Sequence, residues 1–361
     1  MQKSQSSFSQ EHELAYRLTE ELKRTHPLRQ LFWECTLNCN LSCIHCGSDC
    51  KKESRVSEMP LGDFLPVLDD IRQHQPGVRT MVHTIGGEPL VRHDILECGR
   101  AITERGFYWG MVTNGHILDK ALMKDLMRSG LRSISVDIDG TKEDHNWLRN
   151  NKSSFDRAYN ALLCIKNTPA LAWDVITCVN RRNISRLDEI KNLLADAGVK
   201  HWRCFTITPM GRAKENSELL LSDSEFRMLM DFIVRTREEG RIMLSYGCEG
   251  YLGEYEGRVR NHCYSCRAGL TVASVLSDGG ISGCLSIRSD YRQGNIYSDS
   301  FWDVWNNRFT LYRYREWMKT GPCKECEVFK YCQGNGMHLR DENGRLLVCH
   351  YAKLQNARSE R

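Results

Sequence analysis

After Pro27 short apolar runs recur along the chain: LFWECT (31–36), TMVHTIG (80–86), FYWGMVT (107–113), SISVDI (133–138), AWDVITCV (172–179) and HWRCFTI (201–207). Between them lie stretches of helical periodicity, such as LGDFLPVLDDIRQH, DKALMKDLMRSG and SRLDEIKNLLADAG, several closing on Gly as helices tend to. This strand–helix alternation predicts an α/β fold built on a parallel sheet. Six units are fewer than the eight of a closed barrel, so the pattern predicts either a partial barrel or later strands hidden in the C-terminal region.

Residues 9–25 place Leu14, Tyr16, Leu18 and Leu22 among charges, predicting an amphipathic helix packed on the outside of a domain. Residues 215–258 read as a bridging helix and a Gly/Tyr-rich connector, and from about 259 the chain turns Cys-, Gly- and aromatic-rich. The expected division is an N-terminal helix (1–28), a β/α core (29–215), a connector (216–258) and a smaller domain (259–361).

Composition narrows the class. Of 361 residues 41% are hydrophobic and 27% charged, which is globular rather than disordered. A net charge of +4 without a basic tail argues against a nucleic-acid partner. No window reaches the roughly 20 apolar residues of a membrane span, and the first residues lack a signal-peptide core, so a cytoplasmic location is expected. In that compartment 17 cysteines are not a disulfide framework.

The cysteines fall into two dense groups, Cys35 to Cys50 and Cys263 to Cys349. Cys98, Cys164, Cys178, Cys204 and Cys248 lie scattered between them and read as buried small hydrophobes. Directly after the first strand stands Cys39-Asn40-Leu41-Ser42-Cys43-Ile44-His45-Cys46. Three thiolates on one short loop suit three irons of a [4Fe–4S] cube and leave the fourth iron open. Zinc with Cys35 or Cys50 as a fourth ligand is the alternative, although structural zinc more commonly draws on two CX2C knuckles.

This spacing resembles the radical S-adenosylmethionine (radical SAM) enzymes, whose signature carries an aromatic or His residue, here His45, before the last cysteine. Other strand ends support the resemblance. Gly86-Gly87-Glu88-Pro89 is similar to the family's GGEP, which binds the amino group of the cofactor's methionine moiety. Thr113-Asn114-Gly115 resembles TNG, Asp139-Gly140 resembles DG, and Pro209-Met210-Gly211-Arg212-Ala213 is a motif of relatives with C-terminal clusters. Asp137 stands where relatives often have a Ser that contacts the ribose, and a carboxylate can accept from the same hydroxyls.

The resemblance implies a partial (β/α)6 TIM-like barrel over about residues 29–215. It also implies a catalytic cluster on Cys39, Cys43 and Cys46, and S-adenosylmethionine held by His45, Gly86, Gly87, Glu88, Pro89, Asn114 and Asp137. Reductive cleavage of that cofactor yields a 5′-deoxyadenosyl radical that abstracts hydrogen from substrate. An external one-electron donor such as flavodoxin or ferredoxin, and anaerobic chemistry, follow from the same likeness.

Cys266, Gly279, Cys284, Cys323-X2-Cys326-X5-Cys332 and Cys349 resemble the SPASM extension, which houses auxiliary [4Fe–4S] clusters. The likeness implies an outer cluster on Cys323, Cys326, Cys332 and Cys349, and an inner one on Cys263, Cys266 and Cys284. Its pattern expects another Cys four residues after Cys332, where this chain has Gly336. The inner cluster is therefore expected either to be absent or to leave an iron open to water, substrate or a side chain such as His338. Two CX2C pairs, 263–266 and 323–326, keep a zinc-ribbon reading in view.

SPASM-bearing relatives mostly mature ribosomally made peptides or protein side chains, so a peptide or protein substrate is expected. Modification of a tetrapyrrole or another small molecule is the second reading, and a zinc- or cluster-stabilised binding module the third. Asp278, Asp290 and Glu249 are candidate acids or bases, but no catalytic residue is assigned from sequence. Cys35 and Cys50 read as core residues or a redox-sensitive pair, and Trp302 and Trp305, at helical spacing, as packing for the small domain.

Overall fold

The computed structural model describes residues 5–247 and 249–359. Its centre is one ten-stranded sheet in the order β10-β9-β8-β1-β2-β3-β4-β5-β6-β7. The six expected strands are β1 (Gln30–Thr36), β2 (Met81–Gly86), β3 (Tyr108–Thr113), β4 (Leu131–Asp137), β5 (Ala172–Val179) and β6 (His201–Thr206). Each pairs in parallel with the next.

The sheet extends beyond these six. β7 (Met243–Tyr246) adds in parallel to β6, and β8 (Val272–Val275) adds in parallel to the other side of β1. β9 (Gly280–Ser282) and β10 (Gly294–Asn295) continue from β8 in antiparallel fashion. The Cys-rich region thus begins inside the same sheet as the β/α core.

The outer face of each strand meets helices: α2 (Leu61–His74), α3 (Ile95–Glu104), α4 (Lys120–Arg128), α5 (Lys142–Leu148), α6 (Ser154–Lys166), α7 (Leu187–Asp196) and α8 (Asp223–Glu239). Three fully buried tryptophans carry much of this packing. Trp33 stacks on Phe64 of α2 at 4.1 Å, Trp202 meets Phe232 of α8 edge-on at 6.0 Å, and Trp109 lies so close to Gly99 of α3 that a Cβ there would stand 2.1 Å from its ring. Each aromatic pair contributes about 0.5–1.5 kcal/mol beyond its buried area. α8 begins on a full capping box, Ser222 with Glu225, and ends on left-handed Gly240.

The N-terminal helix α1 (Gln5–Thr25) docks through a different stripe from the one its apolar residues mark. Leu22 is buried, but so are His12 and Thr19, while Leu14 and Leu18 are 70% and 51% exposed. Thr19 donates to Ser265 at 3.0 Å, and Glu13 pairs with Lys330, so polar contacts to the C-terminal region set its rotation. Among the described residues no helix is long and apolar enough to cross a membrane. The cysteines of the described residues are all free thiols; Cys98 and Cys204 lie in the core, Cys164 and Cys178 are half-buried, and Cys248 falls outside the described residues. Trp305 is fully buried and donates to His26 O, and Trp302 stacks on His74.

Candidate active site

The loop that leaves β1 is held over the carboxyl ends of the strands by bonds from distant segments. Cys39 N–H donates to Lys51 O at 2.8 Å and Ile44 N–H to Leu148 O at 3.0 Å. Arg212 contributes most: its N–H reaches Cys46 O at 3.0 Å, its Nε reaches Cys43 O at 2.7 Å, and Nη1 reaches Asp49 and Cys50 O. Gly211 (φ +54°) permits this approach, because a Cβ there would lie 2.4 Å from Gly47 O.

Cys39, Cys43 and Cys46 stand close enough to influence one another's ionisation. Burial pushes Cys39 up to about 12 and raises Cys43, whereas the Cys50 thiol, hydrogen-bonded to Cys46, and nearby Arg212 hold Cys46 below the usual range. Cys35 instead donates to Ile85 O within the core, where Arg92 and Cys98 are its neighbours; the structure does not bring it together with Cys50. Beside Cys39 opens a cavity of about 480 Å³, bounded also by Asn38, Asn40, Ser42, Lys52 and Asn150.

The end of β2 crosses directly beneath this loop. A Cβ at Gly86 (φ +128°) would stand 2.1 Å from Thr36 O, and one at Gly87 2.1 Å from Asn38 O, so no larger residue fits either place. Pro89 opens the short turn that follows. The buried Glu88 carboxylate accepts from Thr113 Oγ1 (2.8 Å), Asn114 N (2.7 Å) and Leu90 N (3.1 Å). Desolvation outweighs these donors and pushes its pKa up to about 7. Three donors leave part of a carboxylate's acceptor capacity unused. Asn114 spans to the loop, donating to Asn40 Oδ1 at 2.8 Å and to Cys39 Sγ at 3.9 Å.

After β4 the acidic pair Asp137 and Asp139 converges on Arg149, a residue to which sequence reasoning assigned no role. Arg149 pairs with Asp137 at 3.0 Å and Asp139 at 2.5 Å, and its Nη1 reaches Cys43 Sγ at 3.8 Å. Burial raises Asp137, whereas Asp139, equally enclosed, is held low by Arg149, His45 and His145. His45 is pushed down to about 4 by burial, and its Nδ1 has no partner. Deeper in the barrel Arg203 pairs with Asp174 and donates to Ser135, with His83 stacked on Phe32 nearby.

The three acidic candidates separate. Glu249 is buried and locked by Thr206 N, Thr206 Oγ1 and Tyr246 OH at 2.6–2.8 Å. Asp278 pairs with Arg292 at 2.7 Å, and Asp290 lies 81% exposed.

In the C-terminal region Cys332 is raised by burial and by its neighbours Cys349, Cys323 and Cys326, which marks these four as one group. Arg340 donates to Cys323 Sγ at 3.3 Å and Ala352 N–H to Cys349 Sγ at 3.4 Å. Cys266 and Cys284 both lie beside Tyr312. Although burial opposes ionisation of Cys266, Arg315 and the backbone N–H groups of Met337 and Ala268 hold its thiol below the usual range. Cys263 has Glu256, Glu11 and Arg260 as its charged neighbours and faces α1 beside His12, Tyr251 and Tyr331. His338 is lowered to about 4 by burial, so its ring is neutral.

These residues fit the groups the resemblance implies. Among the described residues no three His, Cys, Asp or Glu side chains converge on one metal ion, and thiolates spread around a common space suit a cluster, in which each takes a separate iron. Asn40 Nδ2 and His45 Nδ1 are buried polar atoms without partners on the loop that carries the three cysteines.

The family model described as "Radical SAM superfamily" matches residues 33–210, and that for the SPASM "Iron-sulfur cluster-binding domain" matches residues 266–327. An AdoMet-dependent heme synthase of Methanosarcina barkeri is 27% identical over 86% of this chain and 91% of its own length. The mycofactocin maturase MftC of Mycolicibacterium smegmatis is 28% identical over 85% of this chain and 77% of its own. Among solved structures, anSMEcpe with bound AdoMet and a Cp18Cys peptide superposes with a TM-score of 0.70 at 20% identity, covering 92% of this chain and 96% of that one. Streptococcus suis SuiB bound to its precursor peptide SuiA gives 0.68 at 17% identity, covering 88% and 74%. A cysteine loop seated on β1, a double glycine beneath it and a thiolate-rich C-terminal region thus coincide with both family matches, and the chain belongs to the radical SAM superfamily, with a SPASM iron–sulfur cluster-binding domain.

Proposed function

We propose that this radical SAM enzyme abstracts hydrogen from a peptide or protein substrate. The observation that carries this reading is the charge balance of the barrel, at its mouth and within it. Arg149 is matched by Asp137 and Asp139, Arg203 by Asp174, and Arg288 by Glu34 at 2.7 Å. Cations already paired with carboxylates suit an uncharged peptide backbone better than a tetrapyrrole carrying several carboxylates.

In this reading Cys39, Cys43 and Cys46 hold the catalytic cluster, and Glu88, with Gly86, Gly87, Pro89, His45, Asn114 and Asp137 around it, receives the cofactor. A [4Fe–4S] cluster with S-adenosylmethionine supplies one-electron reductive cleavage and a hydrogen-abstracting radical. The chain's own residues bind, orient and exclude water: Glu88 offers a carboxylate to an ammonium, Arg149 fixes the two aspartates, and Arg212 holds the loop down. Cys323, Cys326, Cys332 and Cys349 hold an auxiliary cluster, and a flavodoxin or ferredoxin supplies the electron.

The heme synthase likeness, which spans most of both chains, favours tetrapyrrole modification as the second reading. The anaerobically reconstituted enzyme, given reductant and S-adenosylmethionine, tests the choice. Peptide-dependent 5′-deoxyadenosine with a change in peptide mass supports the first reading. Turnover of an iron coproporphyrin, with no peptide encoded beside the gene being altered, overturns it.

A further inference from the structure

The SPASM pattern expects a cysteine at the position of Gly336, and the space that its side chain would enter is already filled. A Cβ built on Gly336 would stand 2.7 Å from Cε1 and 2.9 Å from Nδ1 of His338. The imidazole therefore lies where the missing side chain would project. Met337, between the two residues, points its backbone N–H at Cys266, so this turn packs directly against that thiolate. Cys284 lies with Cys266 beside Tyr312.

The surroundings suit a ligand set. Cys266 receives Arg315 and two backbone N–H groups, the kind of donor shell that tunes cluster thiolates. Arg315 is itself anchored, donating through Nε to Tyr312 O at 2.8 Å. His338 is half-buried and takes part in no hydrogen bond among the described residues. Its ring stands in the place of the missing cysteine side chain, one residue from the N–H that Met337 points at Cys266.

We infer that His338 is a nitrogen ligand of the inner auxiliary iron–sulfur cluster, standing in for the absent cysteine alongside Cys266 and Cys284. A neutral imidazole in place of a thiolate removes one negative charge from the cluster, which makes it easier to reduce, as in clusters of mixed Cys/His ligation. The inner cluster then becomes the better electron acceptor of the C-terminal region. This rests on the radical SAM/SPASM reading but not on the identity of the substrate.

The test is pulsed EPR on the reconstituted, reduced holoenzyme, prepared at natural abundance and with [15N]histidine. The expected result is a strong nitrogen coupling on an auxiliary-cluster signal that changes with the isotope and is lost in His338→Ala. The double variant Gly336→Cys/His338→Ala, which restores the usual cysteine, should keep its iron, lose the coupling and show a lower midpoint potential. No directly bound nitrogen in the wild type, or a coupling that survives His338→Ala, overturns the assignment. The wild-type comparison does not depend on any variant folding. Formation of 5′-deoxyadenosine, measured on the same samples, reports separately on the enzyme reading, which stands even where the nitrogen coupling is absent.

Discussion

Arg149 joins the acidic end of β4 to the cysteine loop: its guanidinium pairs with Asp137 at 3.0 Å and reaches Cys43 Sγ at 3.8 Å. A cation beside a cluster ligand favours the reduced state, and its planar fork serves two carboxylates at once. Replacing Arg149 with Ala leaves Asp137 and Asp139 buried without a counter-charge, at a cost of about 3–5 kcal/mol. We expect a correspondingly earlier denaturant midpoint and, in protein that still folds, a catalytic cluster with a lower midpoint potential by redox titration. Arg149→Lys should recover part of the stability and little of the geometry. An unchanged potential in Arg149→Ala would remove the link to Cys43.

The local pattern of the chain made the first six strands legible because parallel strands, buried on both faces, read as apolar runs. It did not reveal β7 or β8. Met243–Tyr246 and Val272–Val275 are four residues each, and β8 finds its place by pairing with β1, more than 200 residues upstream. A pairing of that separation leaves no local periodicity. The cysteine loop and the two glycines were legible through spacing and strand position, whereas Arg149 was not, since a single Arg after a short polar helix acquires its role only when the chain folds it back onto Cys43. For the same reason CX2C spacing suggested that Cys263 and Cys266 act together, while in the fold Cys263 turns toward Glu256 and α1.

Glu88 carries a pH dependence of defined sign. Its native pKa of about 7 lies above the ordinary Glu value of 4.5, because burial outweighs three hydrogen bonds. The native state therefore holds this proton to higher pH than the unfolded chain does. The stability contributed is fully present below about pH 4.5 and is lost as pH rises through about 7. An ammonium needs the ionised form, so S-adenosylmethionine should bind more tightly as pH climbs through the same window. Equilibrium binding from pH 6 to 8 should show the rise in wild type and a weak, flat profile in Glu88→Gln. A wild-type affinity independent of pH would exclude Glu88 as the ammonium's partner.

Gly211 and Arg212 should act on cluster retention more than on the overall fold. A Cβ at Gly211 meets the backbone oxygens of Gly47 and Cys46 at 2.4 and 2.5 Å, so Gly211→Ala displaces the loop that carries Cys46. Arg212→Ala removes side-chain bonds to Cys43 O, Asp49 and Cys50 O, each worth about 0.5–1.5 kcal/mol. Iron analysis after desalting should find about four irons fewer per chain in Gly211→Ala, the content of one cube. Circular dichroism should stay near wild type, since the strand ends beneath the loop are untouched.

The two cysteine groups should separate by function when they are removed in turn. Cys39, Cys43 and Cys46 share the loop that Arg212 and Arg149 grip, whereas Cys332 sits with Cys323, Cys326 and Cys349 in the C-terminal region. Replacing the first three with Ala should remove about four irons per chain and all 5′-deoxyadenosine formation. Cys332→Ala should lose a similar amount of iron, yet still form 5′-deoxyadenosine on reduction while losing substrate turnover. The expected distinction follows from the proposed roles, in which cofactor cleavage draws on the loop cluster alone and a cluster on the C-terminal thiols is needed only once substrate has given up hydrogen. Measuring iron, sulfide, 5′-deoxyadenosine and modified substrate on the same preparations decides it, and equal residual cleavage in the two variants would contradict the division.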